Sequence, residues 1–379
     1  MDKILFFANK WVDADRVDGI RRFADKRGWI VQVVERLGPR MDVKKVVDFM
    51  KPVGVIAGCG GFYPDASSES VGSVPLVYMD EDPNGGKGKG LYVVADDRRI
   101  GELAAKELLG LGLAHYAFVG WRRSRYWSDL RGSAFARTVA DHGCSCETFS
   151  CPDMTSVNHR REIMAAWLKS LPKPCGIFAV HDPVAEEVLN VANAVGLSVP
   201  HDVAVIGVDD DPKICGQTHP PLTSIRIDFE QAGYLCAELL AERIDNPSLT
   251  EAIRTYSPGQ VTRRLSTRQF AHADNRMLQA LEFISRHACQ QGETSVDTVA
   301  AVMGLSRRMA EMVFRRQTGH SIHDEIMAVR MAQVERMLRN PRQDISAIAN
   351  LCGWASDSVL RRAFRKHYGV SMREWRKNH

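Results

Sequence analysis

At 379 residues the chain is longer than one ordinary core can organise, so two or three domains are expected. A composition of 45% apolar and 25% charged residues excludes long disorder, and no apolar run approaches the roughly 18 residues of a membrane span. The net charge of +4 is uneven: residues 274–379 carry 15 Arg and 2 Lys against 11 acids, a balance of +6, which leaves −2 for everything before them.

The N-terminal "MDKILFFANK" has an apolar stretch too short for a signal-peptide core and reads as a first buried strand, so a cytoplasmic chain is expected. Further short apolar runs follow: "VGVIAG", "PLVYMD", "YAFVG", "GIFAV", "VAVIGVDD" and "LTSIRID". Amphipathic helices such as "DDRRIGELAAKELLGLG" and "DPVAEEVLNVANAVGL" separate them. This alternation predicts parallel sheets covered by helices on both faces, and seven strands over some 265 residues suggest two lobes. We expect a sensor over 1–265, with one lobe from 1–95 and 229–249 and the other from 96–228 and 250–265. A linker over 266–275 and an all-α domain over 276–379 follow.

Polar residues gather after these strands, where open α/β sheets bind ligands. Asn9 and Lys10 follow the first run, Asp80 follows "PLVYM", His181 and Asp182 follow "GIFAV", and Asp209 follows "VAVIGV". Arg125, Trp127 and Arg131 lie in the segment after "YAFVGW". Carboxylates and an arginine fork can grip vicinal hydroxyls while an indole covers a C–H face, which is the inventory of a sugar site. Taken singly, Asp97 and Asp182 read equally well as helix caps and Trp127 as core. Their shared position after separate strands favours a common site. The scattered cysteines read as reduced core thiols. The cluster His142, Cys144, Cys146 and Cys151 lacks a second ligand pair at zinc spacing, and Asp209–Asp211 reads as a turn, so no metal or cofactor is expected. No nucleophile or carboxylate pair at catalytic spacing stands out, so no catalytic residue is assigned.

The last quarter repeats itself. "FRRQTGHS" begins at Phe314 and "FRKHYGVS" at Phe364, and Ala300, Gly304 and Ser306 recur as Ala349, Gly353 and Ser356. Helical periodicity on both sides of each glycine predicts two helix-turn-helix units, over about 295–319 and 344–369. Ser306 and Ser356 stand where a second helix starts and can cap it. That helix carries Arg307, Arg308 and Arg315 in the first unit and Arg361, Arg362 and Arg365 in the second, with Met309, Val313, Val359 and Ala363 as the apolar periodicity. The segment between the units is helical in spacing and would hold two recognition helices in successive major grooves, ~34 Å apart.

On these motifs the last ~105 residues resemble the AraC-family DNA-binding domain. The resemblance implies that Ser306, Arg307, Arg308 and Glu311 face bases in one groove, and Ser356, Asp357, Ser358, Arg361 and Arg362 in the next. Met312 departs from members that have Arg there. The segments "VVADDRRIGELAAKELLGLG", "FAVHDPVAEEVLNVANAVGLSVPHDVAVIGVDDDP", "PPLTSIRIDFEQAG" and "YSPGQVTRRLST" resemble the sugar-sensing domain of LacI-type regulators, itself similar to type I periplasmic sugar-binding proteins. This implies a cleft lined by Asn9, Asp80, Trp127, Arg131, Asp182, Asp209 and Phe229, with His181 in place of the more usual Asn. A LacI-like sensor joined to an AraC-like reader is similar to the regulators of xylose operons. That pairing implies a homodimeric activator that binds D-xylose or another sugar together with double-stranded operator DNA, and that meets RNA polymerase. A sugar-processing enzyme or a transport-type binding protein is the alternative.

Overall fold

The computed structural model describes residues 2–7, 14–35, 42–58, 66–85, 89–121, 125–149, 156–268, 275–290, 292–338 and 343–378. In chain order the first lobe holds β1 (Lys3–Phe7), α1 (Ala14–Arg27), β2 (Ile30–Val34), α2 (Val43–Met50), β3 (Gly54–Gly58), α3 (Ser68–Val71), β4 (Leu76–Met79) and β5 (Leu91–Ala95). The second holds α4 (Asp97–Leu109), β6 (His115–Val119), α5 (Tyr126–Asp141), β7 (Cys146–Thr148), α6 (Val157–Ser170), β8 (Cys175–Ala179), α7 (Asp182–Ala194), β9 (Val203–Asp209), α8 (Pro212–Cys215) and β10 (Thr223–Ile227). The chain then returns with α9 (Phe229–Asp245) and β11 (Ala252–Tyr256) to the first lobe and with β12 (Pro258–Thr262) to the second.

Each lobe is one six-stranded sheet, in the orders β11-β5-β4-β3-β1-β2 and β12-β10-β9-β8-β6-β7. The first is parallel throughout, and the second is parallel except for β12 against β10. Burial on both faces explains the near-continuous apolar runs of β1, β3 and β8. The strands absent from the seven expected are β2, β5, β7, β11 and β12. Four of them lie at the sheet ends, where strands are short or partly exposed and carry no clean apolar signal. One boundary differs from expectation: residues 252–256 belong to the first lobe, because β11 pairs in register with β5.

Three crossings join the lobes, at Asp96, Asp228 and Ser257, and the Asp96 amide donates to the Tyr256 carbonyl at 3.0 Å. One helix crossing, made by two glycines, sits beside them. A Cβ on Gly19 would fall 1.9 Å from the Glu230 carbonyl oxygen, and one on Gly233 would fall 2.0 Å from that of Arg16. Only glycine allows α1 and α9 to meet this closely, and the crossing brings Arg16 onto Phe229.

The C-terminal domain comprises α10 (Asn275–His287), α11 (Val296–Val302), α12 (Arg307–Thr318), α13 (Ile322–Leu338), α14 (Ile345–Leu351), α15 (Asp357–Tyr368) and α16 (Met372–Asn378). It has two cores that share α13. Ile322 and Ile326 pack with α10 to α12 around Phe314, while Met331, Val334 and Leu338 pack with α14 to α16 around Phe364. A single helix with one end in each core fixes the spacing of the two units.

The repeated motif now has a physical reading. Phe314 and Phe364 are core anchors with no exposed surface. Gly319 and Gly369 take left-handed conformations, φ 82° and 74°, that end their helices. Ser321 and Ser371 then exchange hydrogen bonds with Asp324 and Glu374 to start the next helix. Gly304 and Gly353 make the turn inside each unit at φ 62° and 71°. Among the described residues no helix is long and apolar enough to cross a membrane.

Candidate functional site

The lobes face each other across a cleft built from strand ends and hinge crossings. From the first lobe, Asp80 follows β4 with φ 52°, outside the usual range for a non-glycine residue. Its carboxylate accepts from Arg16 Nη2 at 3.0 Å and from the Tyr256 hydroxyl at 2.8 Å. The Arg16 guanidinium lies 3.9 Å over the Phe229 ring. Burial, with Asp80 alongside, holds the Tyr256 phenol well above its ordinary range, so it stays a donor.

From the second lobe come a buried arginine and an aromatic wall. Arg131 is 8% exposed; its Nε donates to Asp97 at 2.8 Å and its Nη1 to the Val180 carbonyl at 2.8 Å. Burial pushes the Asp97 carboxyl up to about 6 against the pull of Arg131. The His181, Trp121 and Trp127 rings form a triangular cluster, with His181 at centroid distances of 4.8 and 6.0 Å and the indoles 6.4 Å apart, and the Arg131 guanidinium sits 5.2 Å from the Trp127 ring. Burial depresses His181 to about 4, so it is neutral at pH 7. Its Nδ1 accepts from the Val184 amide at 3.2 Å. A neutral imidazole that accepts at Nδ1 carries its proton on Nε2, which makes His181 a donor on its other edge.

Asp209 ends β9 at φ 110°, a strained conformation for a non-glycine residue. Its half-buried carboxyl is pushed up to about 6, chiefly by burial and less by neighbouring Asp211 and Asp80, while Arg131 and Arg16 pull it down. Fields from Arg16 on one lobe and Arg131 on the other both reach this group. A carboxylate that feels guanidinia from both lobes can accept from polyol hydroxyls.

Several expectations shift. The helix caps are Asp96 and His181, whose side chains accept from the Arg99 and Val184 amides. Asp97 and Asp182 are therefore not the caps. Asp182 has 0% exposure and accepts from Ser224 Oγ at 2.6 Å, the Asp211 amide at 2.8 Å and Cys215 Sγ at 3.1 Å. It braces α7 against the ends of β9 and β10 through these bonds within the second lobe. Arg125 is half-buried at the start of α5. Asn9 and Lys10 lie outside the described residues.

Residues that strand-end reasoning missed are Arg16, Trp121, Tyr126 and Tyr256. Among the described residues, the Tyr126 hydroxyl and Asp97 Oδ2 are buried without a hydrogen-bond partner. Burial, then the neighbouring Asp80 and Asp97, raises the Tyr126 phenol. Trp121 directly follows a strand run and was legible by the same rule as Asp80. Arg16 sits inside a helix, where no strand-end signal reaches.

The DNA-facing candidates form a second site. Ser306 and Ser356 cap α12 and α15 by accepting from the Met309 and Val359 amides. Arg307, Arg308, Arg315, Ser358, Arg361, Arg362 and Arg365 are exposed, and Ser356 and Asp357 are half-exposed. Arg307 pairs with Asp297 at 3.0 Å and Arg361 with Asp357 at 3.2 Å, both on the surface. Glu311 is half-exposed, and its carboxylate accepts from the Ile322 amide at the start of α13 at 3.4 Å. Met309 and Val359, expected as core periodicity, are 43% and 42% exposed, and Met312 is 57% exposed. Each recognition helix thus presents apolar groups among its arginines.

Sensor and reader are joined by packed contacts. Ser266 Oγ donates to the Val205 carbonyl at 2.6 Å, inside the sensor, while Leu265 belongs to the first reader core. Arg268 reaches Glu325 of α13 at 2.8 Å, and Arg286 of α10 reaches His219 of the second lobe at 2.8 Å. A cavity of about 570 Å³ opens at this junction among Glu107, Arg263, Arg268, Leu281 and Glu325.

The periplasmic binding protein-like domain family matches residues 105–267, and a helix-turn-helix domain family matches residues 299–378. The xylose operon regulatory protein of Escherichia coli K12 is 28% identical over 395 residues, spanning 98% of this chain and 96% of that protein. The protein of the same name from Haemophilus influenzae is 25% identical over 76% of this chain and 75% of its own length. The solved structure of a xylose-binding transcription activator, xylR, superposes with a TM-score of 0.65 at 25% identity, covering 100% of this chain and 98% of that one.

Proposed function

We propose that this sugar-responsive helix-turn-helix transcription regulator takes a pentose, D-xylose, into the cleft between its lobes and acts in the cytoplasm as a homodimeric activator. The observation that carries the reading is the pairing of acceptors and donors from both lobes about one cleft: Asp80 and Arg16 on one side, Asp209, Arg131 and His181 on the other. A sugar that bonds to both sides stabilises the closed arrangement by its differential affinity for that state. Trp127 and Trp121 cover its C–H face. Similarity to proteins named for xylose, over almost the whole chain, supports the choice of pentose.

The reading assigns Ser306, Arg307, Arg308 and Arg315 to one major groove and Ser356, Asp357, Ser358, Arg361, Arg362 and Arg365 to the next. Met309, Met312 and Val359 suit thymine methyl groups there. Closure rotates the second lobe, and the contacts at Arg268–Glu325 and Arg286–His219 carry that rotation to α13 and α10. The activator role includes a contact with RNA polymerase. Isothermal titration with D-xylose tests the ligand; heat with another sugar and none with xylose reassigns it. Turnover of a pentose to product would support an enzyme instead.

A further inference from the structure

Cys289 lies just past α10 in the first reader unit, and Cys352 closes α14 at the turn of the second. The fold sets them against each other. A Cβ on Gly353 would fall 2.8 Å from the Cys289 carbonyl oxygen, which sets the neighbouring Cys352 beside Cys289, while the Cys352 Sγ donates to the Met337 Sδ at 3.6 Å. Arg330 of α13 ties down the same spot by donating Nε to the Ala288 carbonyl at 2.6 Å, and Arg330 and Arg336 both act on the Cys289 sulfur. Cys352 packs in the core beneath α15 and neither cysteine belongs to the cleft or to the exposed faces of the recognition helices, so the proposed sensing and reading do not use the pair.

We propose that Cys289 and Cys352 form an oxidant-responsive thiol pair, which a peroxide converts to a disulfide that pins the two helix-turn-helix units to each other. Cys289 is half-buried and reachable, whereas Cys352 has no exposed surface. The neighbouring Cys352, aided by the two arginines, holds the Cys289 thiol down to about 7 against its burial. Burial pushes Cys146 and Cys175 the other way, to about 12, so oxidation is selective.

The Cys289 thiolate attacks one peroxide oxygen; the O–O bond breaks and hydroxide leaves, giving a sulfenic acid. The Cys352 sulfur then attacks the sulfenyl sulfur; the S–S bond forms, the S–O bond breaks, and the hydroxyl departs with the Cys352 proton as water. Two thiols lose two electrons and one peroxide becomes two waters. In the reduced protein α13 and the packing of Gly353 on Cys289 set the separation of the recognition helices. The disulfide adds a covalent tether between the units, whatever sugar fills the cleft.

The test uses reduced full-length protein, one equivalent of hydrogen peroxide at neutral pH, alkylation of the remaining thiols, and non-reducing digestion with mass spectrometry. The expected result is a peptide pair joined through Cys289 and Cys352, lighter by two hydrogens, reversed by dithiothreitol and absent in Cys289→Ser. In Cys352→Ser, dimedone should trap a sulfenic acid at Cys289. Should that variant not fold, the wild-type cross-link map and Cys289→Ser decide alone. Full alkylation of both cysteines after peroxide, cross-links among other cysteines only, or sulfinic acid at Cys289 with no cross-link would each overturn the proposal.

Discussion

Gly101 of α4 lies so close to Arg131 of α5 that a Cβ on it would fall 2.3 Å from the Arg131 carbonyl oxygen. The bare glycine lets the helices cross where Arg131 Nε meets Asp97, so a backbone contact positions a cleft guanidinium. Gly101→Ala must push α5 away, since a carbonyl cannot turn aside as a flexible side chain would. We expect a loss of ~1–3 kcal/mol, the usual range for overpacking, in urea unfolding, together with weaker sugar binding in calorimetry. Wild-type sugar affinity in a destabilised Gly101→Ala protein would separate the crossing from the site.

Asp209 makes sugar binding depend on pH. Its carboxyl, pushed up to about 6, must be ionised to accept from two sugar hydroxyls. Binding donors lowers its pKa in the complex, so affinity should rise as pH increases through about 6 and level off above it. Asp209→Asn should flatten that profile and weaken binding ~10–100-fold, the scale of a charge-assisted hydrogen bond. Calorimetry over a pH series is the check, and an unchanged slope in the variant would assign the titration to Asp97.

Asp182 belongs to stability. Its removal leaves the Ser224 hydroxyl proton and the Asp211 amide without their acceptor inside the second lobe. Asp182→Ala should therefore destabilise by ~2–4 kcal/mol, while Asp182→Asn should cost less. Burial raises the carboxyl from 3.8 to about 8, with repulsion from Asp209 adding to it. A raised folded-state value means that the native protein holds this proton more tightly than the unfolded chain does. The associated stability is complete below 3.8 and lost as pH rises through about 8. Denaturant midpoints across this window should slope more steeply in the wild type than in Asp182→Asn.

These residues mark how far sequence reading reaches. The alternation of apolar runs and helices already carried the two-lobed α/β architecture, and the tandem frame at Phe314 and Phe364 carried the two helical units, because both signals are periodic and local. Asp80 and Asp209 were legible as strand-end carboxylates. Asp182 obeyed the same rule yet points inward, since which way a carboxylate turns depends on Ser224 and Cys215, both more than 30 residues on. Arg16 was invisible for a related reason. It reaches the cleft only because Gly19 and Gly233 let α1 meet α9, and that crossing joins segments more than 200 residues apart. The apolar faces of α12 and α15 were read as core because periodicity locates a stripe and not its partner.

Arg361 offers the sharpest test of the reader. It is exposed on α15 and held only by a surface pair with Asp357 at 3.2 Å, worth little in water. A guanidinium so lightly tethered can leave its partner for a base edge or a phosphate. If it reads guanine, Arg361→Ala should cost ~1–3 kcal/mol at the operator and relax preference at one base pair. A phosphate contact would instead weaken binding uniformly across sequences and reduce the salt slope by about 0.9. Fluorescence anisotropy against single-base operator variants at two salt concentrations distinguishes these outcomes, and the same pair of measurements on Arg307→Ala asks whether α12 uses its groove alike. Because α13 seats one end in each core, a loss confined to one half-site should accompany each variant. Equal losses at both half-sites would mean that the two units do not read separate grooves.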